Sequence, residues 1–164
     1  MEARIRKATE ADLNAINDIY NYYVLNSTCT YQMTPETVED RIKWFSAHGD
    51  KYPVIICEIN NEIIGWASIS PFHKREGYKF TVEDSVYIKN GNHGKGLGSR
   101  LLKEIIEMTQ SIGYHSIIAG ISSDQNVSII LHEKFGFKKV AHLKRVGFKF
   151  DKWLDVVYYQ LLLV

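Results

Sequence analysis

The chain has 164 residues, of which 45% are hydrophobic, 24% are charged and 12% are aromatic. This composition is typical of one globular domain, which we expect to span residues 1–164, and it argues against disorder. The formal charge is +1 and no run of like charges occurs, so neither nucleic acid nor a membrane surface is expected as a partner.

The first predicted elements are a strand and two helices. Residues 5–8 are the strand candidate, and Thr9 with Asp12 makes a capping-box pattern that opens the first helix. Thr34 and Pro35 repeat the start signal, with proline at the first helical position. The apolar residues after each signal recur at helical spacing, which predicts two consecutive helices.

Three strands are predicted next. Two apolar runs flank Asn60 and Asn61, a pair that favours a hairpin turn between antiparallel strands. Residues 80–88 then alternate in character along a third strand. This alternation places Glu83 and Tyr87 on one face of the strand and most of the aliphatic residues on the other.

The rest of the chain predicts a helix, a strand, a helix and two strands. An apolar stripe begins at Leu97 and stops near Gly113, as in an amphipathic helix. The later elements are predicted at residues 115–121, 128–135, 137–143 and 153–163. This order predicts an α/β fold in which helices cover both faces of a mixed sheet.

A glycine-rich turn separates the third strand from the helix after it. Gly94, Gly96 and Gly98 leave backbone N–H groups unshielded at a helix N-terminus, which suits a phosphate or pyrophosphate. An ordinary flexible turn is the alternative. The spacing fits neither the P-loop nor the dinucleotide fingerprint, whose third glycine would stand at Ser99.

Residues 93–98, with the sequence HGKGLG, resemble the acetyl-CoA signature of the GCN5-related N-acetyltransferases, Gln/Arg-x-x-Gly-x-Gly/Ala. His93 stands where that signature has Gln or Arg. The order of the predicted elements is similar to that of the family as well. The resemblance implies a GNAT-type, mostly antiparallel sheet and an N-acetyltransferase that uses acetyl-CoA as its cosubstrate.

Three further segments resemble the phosphinothricin acetyltransferase branch of that family. They are residues 81–88 (TVEDSVYI), 131–137 (LHEKFGF) and 147–155 (GFKFDKWLD). The similarity covers almost the whole chain and is weakest before Pro53. It implies acetylation of the α-amino group of a small amino acid or of an analogue such as phosphinothricin, methionine sulfoximine or methionine sulfone.

The resemblance also implies a set of cofactor-binding residues. The branch usually carries Asn three residues before a Ser in the last helix. Gln125 has this spacing to Ser128 and Asn126 follows it, so both amides are candidates, with Gln125 favoured by position. Strand backbone groups and the glycine turn complete the implied set: Val86, Tyr87, Ile88, Gly94, Lys95, Gly96, Leu97, Gly98, Ser99, Gln125 and Asn126.

Glu83 is the candidate catalytic base. Acetyl transfer needs a neutral amine, and a carboxylate held rigidly near the amine supplies this need. Read without the resemblance, Glu83 is a solvated or ion-paired strand residue. Asp84 points to the opposite face and is a weaker rival. The backbone N–H of Tyr87 or Ile88 is expected to polarise the thioester carbonyl.

His132 stands where many acetyltransferases of this superfamily have a Tyr that protonates the departing thiolate. Histidine titrates near pH 7, so it suits the role of an acid. Orientation of the thiol and packing of the helix are the alternative roles for this residue.

The acceptor in this branch carries a carboxylate, so cations or N–H donors are expected around it. His73, Lys74 and Arg75 resemble the substrate loop of the branch, and Lys79 is an alternative cation. Aromatic residues would wall the pocket or simply pack in the core. The implied substrate residues are Tyr31, Phe72, His73, Lys74, Arg75, Glu83, Asp84 and Ser85.

Cysteine and histidine usage points away from disulfides and metals. Cys29 and Cys57 are too few for a disulfide framework and are expected as reduced thiols. The six histidines show no metal-ligand spacing, so no metal is predicted. The sequence also lacks a signal peptide and a stretch of about 20 apolar residues, which predicts a cytoplasmic protein.

Two other functions stay open at this point. Acetylation of a polyamine, an aminoglycoside or a protein N-terminus would keep the fold, although basic residues 73–75 argue against a polycation as acceptor. A non-catalytic CoA-binding module would not need Glu83. Branch relatives are typically homodimers, and the apolar segment 153–163 is consistent with a symmetric pair.

Overall fold

Seven strands and four α-helices occur in residues 2–163, the part of the chain that this computed structural model describes. The strands are β1 (Arg4–Lys7), β2 (Val54–Ile59), β3 (Glu62–Pro71), β4 (Thr81–Ile88), β5 (Ser116–Ser122), β6 (Lys138–Lys149) and β7 (Lys152–Leu162). The helices are α1 (Leu13–Asn26), α2 (Val38–Ser46), α3 (Leu97–Ile112) and α4 (Asn126–Lys134). Across these residues, no helix combines the length and apolar character needed to cross a membrane.

One sheet contains all of these strands, in the order β1-β2-β3-β4-β5-β7-β6. β4 and β5 are parallel, and every other neighbouring pair is antiparallel. Ile55 of β2 packs in the same buried cluster as Leu101 of α3, whereas Ile56 packs with Ile16 of α1. Because successive strand residues point to opposite faces, α1 and α3 cover different faces. The predicted fold class and element order are confirmed.

The central parallel pair separates early. Residues 81–83 of β4 pair with residues 116–118 of β5, and the pairing stops there. β4 stays paired with β3 as far as Ile88, and β5 stays paired with β7 as far as Ser122. The two strands therefore diverge within an otherwise continuous sheet. The backbone N–H and C=O groups on their facing edges have no strand partner there and are available to another group.

Two local signals are confirmed in detail. Asn60 and Asn61 have φ values of 52° and 63°, as the tight turn between β2 and β3 requires. Thr9 and Asp12 form the capping box ahead of α1. These turns need no distant contact, so short-range sequence was sufficient to predict them.

The start of α2 corrects the sequence prediction. The helix begins at Val38 and not at Pro35, with Thr37 as its cap: the Thr37 hydroxyl accepts from the Asp40 N–H at 3.1 Å. Two asparagines of α1 hold the preceding residue. Asn17 donates to the Glu36 carbonyl, and Asn21 bonds both backbone groups of Glu36 at 2.9 Å. These contacts keep the chain extended through Glu36.

β6 is also longer than predicted. It was expected to end at residue 143, but it continues to Lys149 past an irregularity between Leu143 and Gly147. The extra residues of a bulge interrupt the alternation on which the prediction relied. Phe150 and Asp151, both with positive φ, then turn the chain into β7.

Candidate active site

A cavity of about 500 Å³ opens where β4 and β5 diverge. Its walls are residues 84–88 of β4, residues 119–121 of β5, the turn before α3 and one side of α4. Tyr23 and Cys29 border it from the face of the sheet that carries α1. The cavity is therefore accessible to groups from both faces of the sheet.

The backbone of β4 presents polar groups to this cavity. Residues of an antiparallel strand alternate in the direction of their N–H and C=O groups. Lys89 donates to the Ile64 carbonyl at 2.8 Å, so the odd-numbered residues, including Tyr87, face β3. Val86 and Ile88 consequently face the opening. Of the two N–H groups expected to polarise the thioester carbonyl, the register favours that of Ile88.

The glycine turn forms the α3 end of the cavity. Gly94 and Gly96 have φ values of 77° and 74°, a backbone conformation that favours glycine, and Gly96 caps α3. The N–H groups of residues 97–99 lie in the first helical turn and have no partner within the helix. The turn therefore suits an anion. Lys95 is the one predicted turn residue outside the cavity lining, and its ammonium bonds Asn92 Oδ1 at 3.1 Å.

Tyr23 connects this turn to β4. Its hydroxyl donates to the Ile88 carbonyl and lies 2.8 Å from Nε2 of His93. The hydroxyl proton is committed to the carbonyl, so the His93 ring is the donor in the second bond. Burial raises the pKa of Tyr23. His93, which departs from the family signature, is thus held by a residue that sequence analysis did not single out.

Asp84 and His132 form a buried pair at the other end of the cavity. His132 Nε2 lies 2.7 Å from Asp84 Oδ2, and His132 Nδ1 lies 2.7 Å from the Ser128 carbonyl. A carbonyl only accepts, so Nδ1 carries a proton, and a second proton lies between Nε2 and the carboxylate. Burial lowers the pKa of His132, but the charge and hydrogen bond of Asp84 outweigh burial and raise it. Asp84 is therefore a partner of His132 and not a free base.

Glu83 lies on the opposite face of β4 from Asp84. It is half-buried and sits in register between Ser70 of β3 and Ile118 of β5, one residue before the stretch that lines the cavity. Burial raises the pKa of Glu83, and the charge of Asp84 raises it further. Within residues 2–163 no group donates a hydrogen bond to its carboxylate. A carboxylate in this setting suits proton transfer.

Residues 5–158 match the family described as Acetyltransferase (GNAT) domain. The chain belongs to this family. It is 38% identical over 158 residues to an L-methionine sulfoximine/L-methionine sulfone acetyltransferase of Salmonella typhimurium, an alignment that covers 96% of this chain and 92% of the relative.

Solved GNAT structures superimpose closely on the chain. An N-acetyltransferase from Staphylococcus aureus Mu50 does so with a TM-score of 0.98, 39% identity and full coverage of both chains. A phosphinothricin acetyltransferase from Sinorhizobium meliloti in complex with AcCoA gives a TM-score of 0.96 and 37% identity, covering 99% of this chain and 89% of the other. The protein is an N-acetyltransferase, and acetyl-CoA is its acetyl donor.

The geometry of the GNAT cavity fits acetyl-CoA. The glycine turn offers N–H groups for a pyrophosphate, and the cavity-facing edge of β4 offers N–H and C=O groups for the amides of a pantetheine arm. Gln125 lines the cavity and its side-chain amide donates to Thr28 Oγ1 at 2.8 Å, which leaves its carbonyl oxygen for another donor. Asn126 is exposed outside the cavity at the start of α4. Position therefore favours Gln125.

The predicted acceptor residues do not all meet in the cavity. Ser85 and Asp84 line it, whereas His73, Lys74 and Arg75 are exposed on the loop after β3. That loop begins where β3 pairs with the start of β4, so it lies on the Glu83 end of the strand.

The two predicted aromatic wall residues also lie outside the cavity lining. Phe72 packs its ring 5.7 Å from that of Tyr78. Tyr31 donates its hydroxyl to Ser122 Oγ at 2.8 Å and to the Asp155 carbonyl at 3.1 Å. Both have packing or hydrogen-bonding roles in the free protein.

Tyr23 and Cys29 are among the cavity residues that were not predicted from the sequence. Neither belongs to a motif, and only the packing of α1 and the segment after it brings them to β4. In the described part of the chain, no group of three His, Cys, Asp or Glu side chains is arranged to hold a metal ion.

The Asp84–His132 pair predicts a pH-dependent stability difference. The pKa of His132 is raised from its ordinary value of 6.5, so the pair stabilises the fold fully below pH 6.5 and loses this effect as pH rises through the folded pKa. Asp84→Asn removes the negative charge that raises this pKa, so burial of His132 is opposed only by the hydrogen bond to the Ser128 carbonyl. We expect the variant to lose about 3–5 kcal/mol of unfolding free energy at pH 5.5 and distinctly less at pH 8.5, measured by urea denaturation.

Asp18→Asn, on the exposed face of α1, is the matched control and should lose little at either pH. An NMR titration of the imidazole protons should show a lower pKa for His132 in the Asp84 variant. An equal loss of stability at both pH values, with an unmoved His132 titration, would contradict the assignment of a charged pair.

Proposed function

We propose that the protein transfers the acetyl group of acetyl-CoA to the α-amino group of a small amino acid, or of an analogue of the phosphinothricin, methionine sulfoximine or methionine sulfone type. One observation supports the proposal above all. A single cavity extends from the glycine turn at the N-terminus of α3, which suits an anion, to residues 84–88 of β4, and the half-buried Glu83 directly precedes this stretch of β4. The relatives described above, an L-methionine sulfoximine/L-methionine sulfone acetyltransferase and a phosphinothricin acetyltransferase, support the acceptor class.

Each part of the cavity has a role in this reaction. The glycine turn, residues 94–99, would hold the pyrophosphate, and the cavity-facing groups of Val86 and Ile88 would hold the pantetheine arm. Acetyl-CoA supplies an activated thioester when bound. The N–H of Ile88 would then stabilise the negative charge that develops on the thioester oxygen.

Glu83 would act as the general base. At neutral pH a free amino acid carries an ammonium group, and Glu83 would accept one proton from it, directly or through one water. The freed lone pair forms the new N–C bond while the C–S bond breaks. The nitrogen then loses a second proton, which the thiolate takes up to leave as CoA thiol, and Glu83 returns its proton to solvent. A CoA thiolate needs little help to be protonated near pH 7. Because both ring nitrogens of His132 are engaged, we propose that His132 orients the cavity wall with Asp84 and is not the acid.

The acceptor would approach on the face of the sheet that carries Glu83. The loop with His73, Lys74 and Arg75 follows directly from the segment of β3 paired with Glu83, so its cations and backbone N–H groups are candidates for binding the acceptor carboxylate.

We place this activity in residues 1–164 as one domain. The free thiols of Cys29 and Cys57 support a reducing, cytoplasmic setting.

The acceptor class is tested by release of CoA thiol from acetyl-CoA. The panel should contain free amino acids, methionine sulfone, methionine sulfoximine, phosphinothricin and polyamines, with each acceptor omitted in turn. We expect release with the amino-acid analogues. Release with polyamines alone would keep the fold and overturn the acceptor, and binding of acetyl-CoA without release on any acceptor would favour a non-catalytic module.

Substitution of Glu83 by Gln tests the general base. We expect turnover to fall about 10²–10⁴-fold because the positioned proton acceptor is lost, while the Kd for acetyl-CoA stays unchanged. In the wild type the acidic limb of kcat/KM should lie above 4.5, the ordinary pKa of glutamate, because the pKa of Glu83 is raised. Glu104→Gln, on the exposed face of α3, is the control. Turnover near that of wild type in the Glu83 variant would remove Glu83 from the mechanism.

We also propose that the protein is a homodimer. Large apolar side chains are exposed around the final hairpin: Val146, Phe148, Phe150 and Trp153 are 46–62% exposed. Such a patch is typical of a protein interface. Light scattering at micromolar concentration should give twice the chain mass of 18.9 kDa, and the monomer mass would contradict the proposal.

A further inference from the structure

Lys149 is a buried cation that the proposed reaction does not use. Its side chain is at the end of β6, and the residue is only 2% exposed. The ammonium donates to the carbonyls of Ser27 and Thr30 at 2.6 and 2.8 Å and lies 3.5 Å from the carbonyl of Tyr23. Burial lowers the pKa of Lys149, and among the described residues no carboxylate pairs with it. A buried charge is costly unless fixed groups compensate it, so this position is specified by the carbonyls it bonds.

The carbonyls of Ser27 and Thr30 belong to one short segment, residues 27–31, which follows the end of α1. Its start is the C-terminal end of a helix, where carbonyls lack helical partners and a positive charge is favourable. Lys149 therefore satisfies acceptors on both sides of Cys29. Cys29 lines the cavity, as do Ser85 and Tyr87.

A second set of contacts ties the same segment to β5 and α4. The Thr28 hydroxyl lies 2.8 and 2.9 Å from the two carboxylate oxygens of Asp124, and it accepts from the Gln125 amide at 2.8 Å. The Tyr31 hydroxyl bonds Ser122. These contacts hold the segment independently of Lys149.

Gly147 explains how β6 comes so close to this segment. A Cβ at this position would lie 2.4 Å from Cε2 of Tyr31, a distance that no side chain tolerates. The absence of a side chain lets the Tyr31 ring lie against β6, two residues before Lys149. The segment is thus held both by β6 and by the end of β5 with the turn that follows it.

We infer that Lys149 is a positioning residue for the acceptor: its ammonium fixes residues 27–31, the segment whose Cys29 borders the cavity on the Glu83 face. The inference rests on the proposed function, because Glu83, Ser85 and Tyr87 share that face and an acceptor amine must reach Glu83 along it. Acetyl-CoA would use the α3 end of the cavity, and Lys149 does not line the cavity. Loss of the ammonium should therefore affect the acceptor and spare the cofactor.

The test compares Lys149→Met with Lys152→Met. Methionine keeps an unbranched stem but has no ammonium, and Lys152 is an exposed residue of the same hairpin. With the best acceptor of the panel, we expect kcat/KM for that acceptor to fall about 10–100-fold in Lys149→Met, mainly through KM, because the wall is misplaced. The Kd for acetyl-CoA should stay within about twofold, and Lys152→Met should match wild type.

Two further readouts keep the test decisive. Amides of residues 27–31 should exchange hydrogen faster in Lys149→Met than in wild type. If that variant does not fold, Tyr31→Phe removes the bond from residues 27–31 to Ser122 without touching the buried charge or Gln125, and it should raise the acceptor KM in the same direction.

The outcomes separate the two proposals. A wild-type protein that acetylates none of the panel overturns the proposed function before any variant is compared. With an active wild type, a folded Lys149→Met variant whose acceptor KM and exchange in residues 27–31 are unchanged overturns the role of Lys149. An equal loss of acceptor and acetyl-CoA binding also overturns it, because that result would indicate general damage.

Discussion

The divergence of β4 and β5 after three paired residues is the constraint on which the site depends. Buried backbone groups need partners, and the edge of β4 that carries Val86 and Ile88 has no strand to supply them. A ligand with amide groups can complete this edge, so the sheet itself provides much of the binding surface. In the free protein the Tyr23 hydroxyl donates a hydrogen bond to the Ile88 carbonyl, and the Asp84–His132 pair connects β4 to α4.

Strand alternation divides the chemistry between two adjacent carboxylates. Asp84 faces α4 and is compensated by an imidazolium, whereas Glu83 faces the other way and has no such partner. Burial makes ionisation of Glu83 less favourable, and repulsion from the neighbouring Asp84 carboxylate adds to this effect, so the pKa of Glu83 rises. The pair with His132 thus affects the proposed base without contacting the acceptor. A regular strand, with no bulge in its pairing to β3, is sufficient to give neighbouring residues these different roles.

Sequence predicted the features that local signals determine. The hairpin at Asn60 and Asn61, the cap of α1 and the glycine turn before α3 each depend on a few neighbouring residues, and each occurs as expected. The start of α2 was wrong because Asn17 and Asn21 reach across to Glu36, a contact that no local pattern encodes. Tyr23, Cys29 and Lys149 were missed for the same reason: tertiary packing alone brings them to the site.

The two halves of the site tolerate sequence change differently. In the proposed site the pyrophosphate would be held by backbone N–H groups, so a side chain such as His93 can differ from the family signature without removing a donor. The acceptor end is built from side chains that hold other segments in place, including the ammonium of Lys149 and the hydroxyls of Thr28 and Tyr31. A substitution of one of these side chains would displace the segment that it holds. One scaffold can therefore keep its acetyl donor while its acceptor changes, since the acceptor depends more strongly on the identity of side chains.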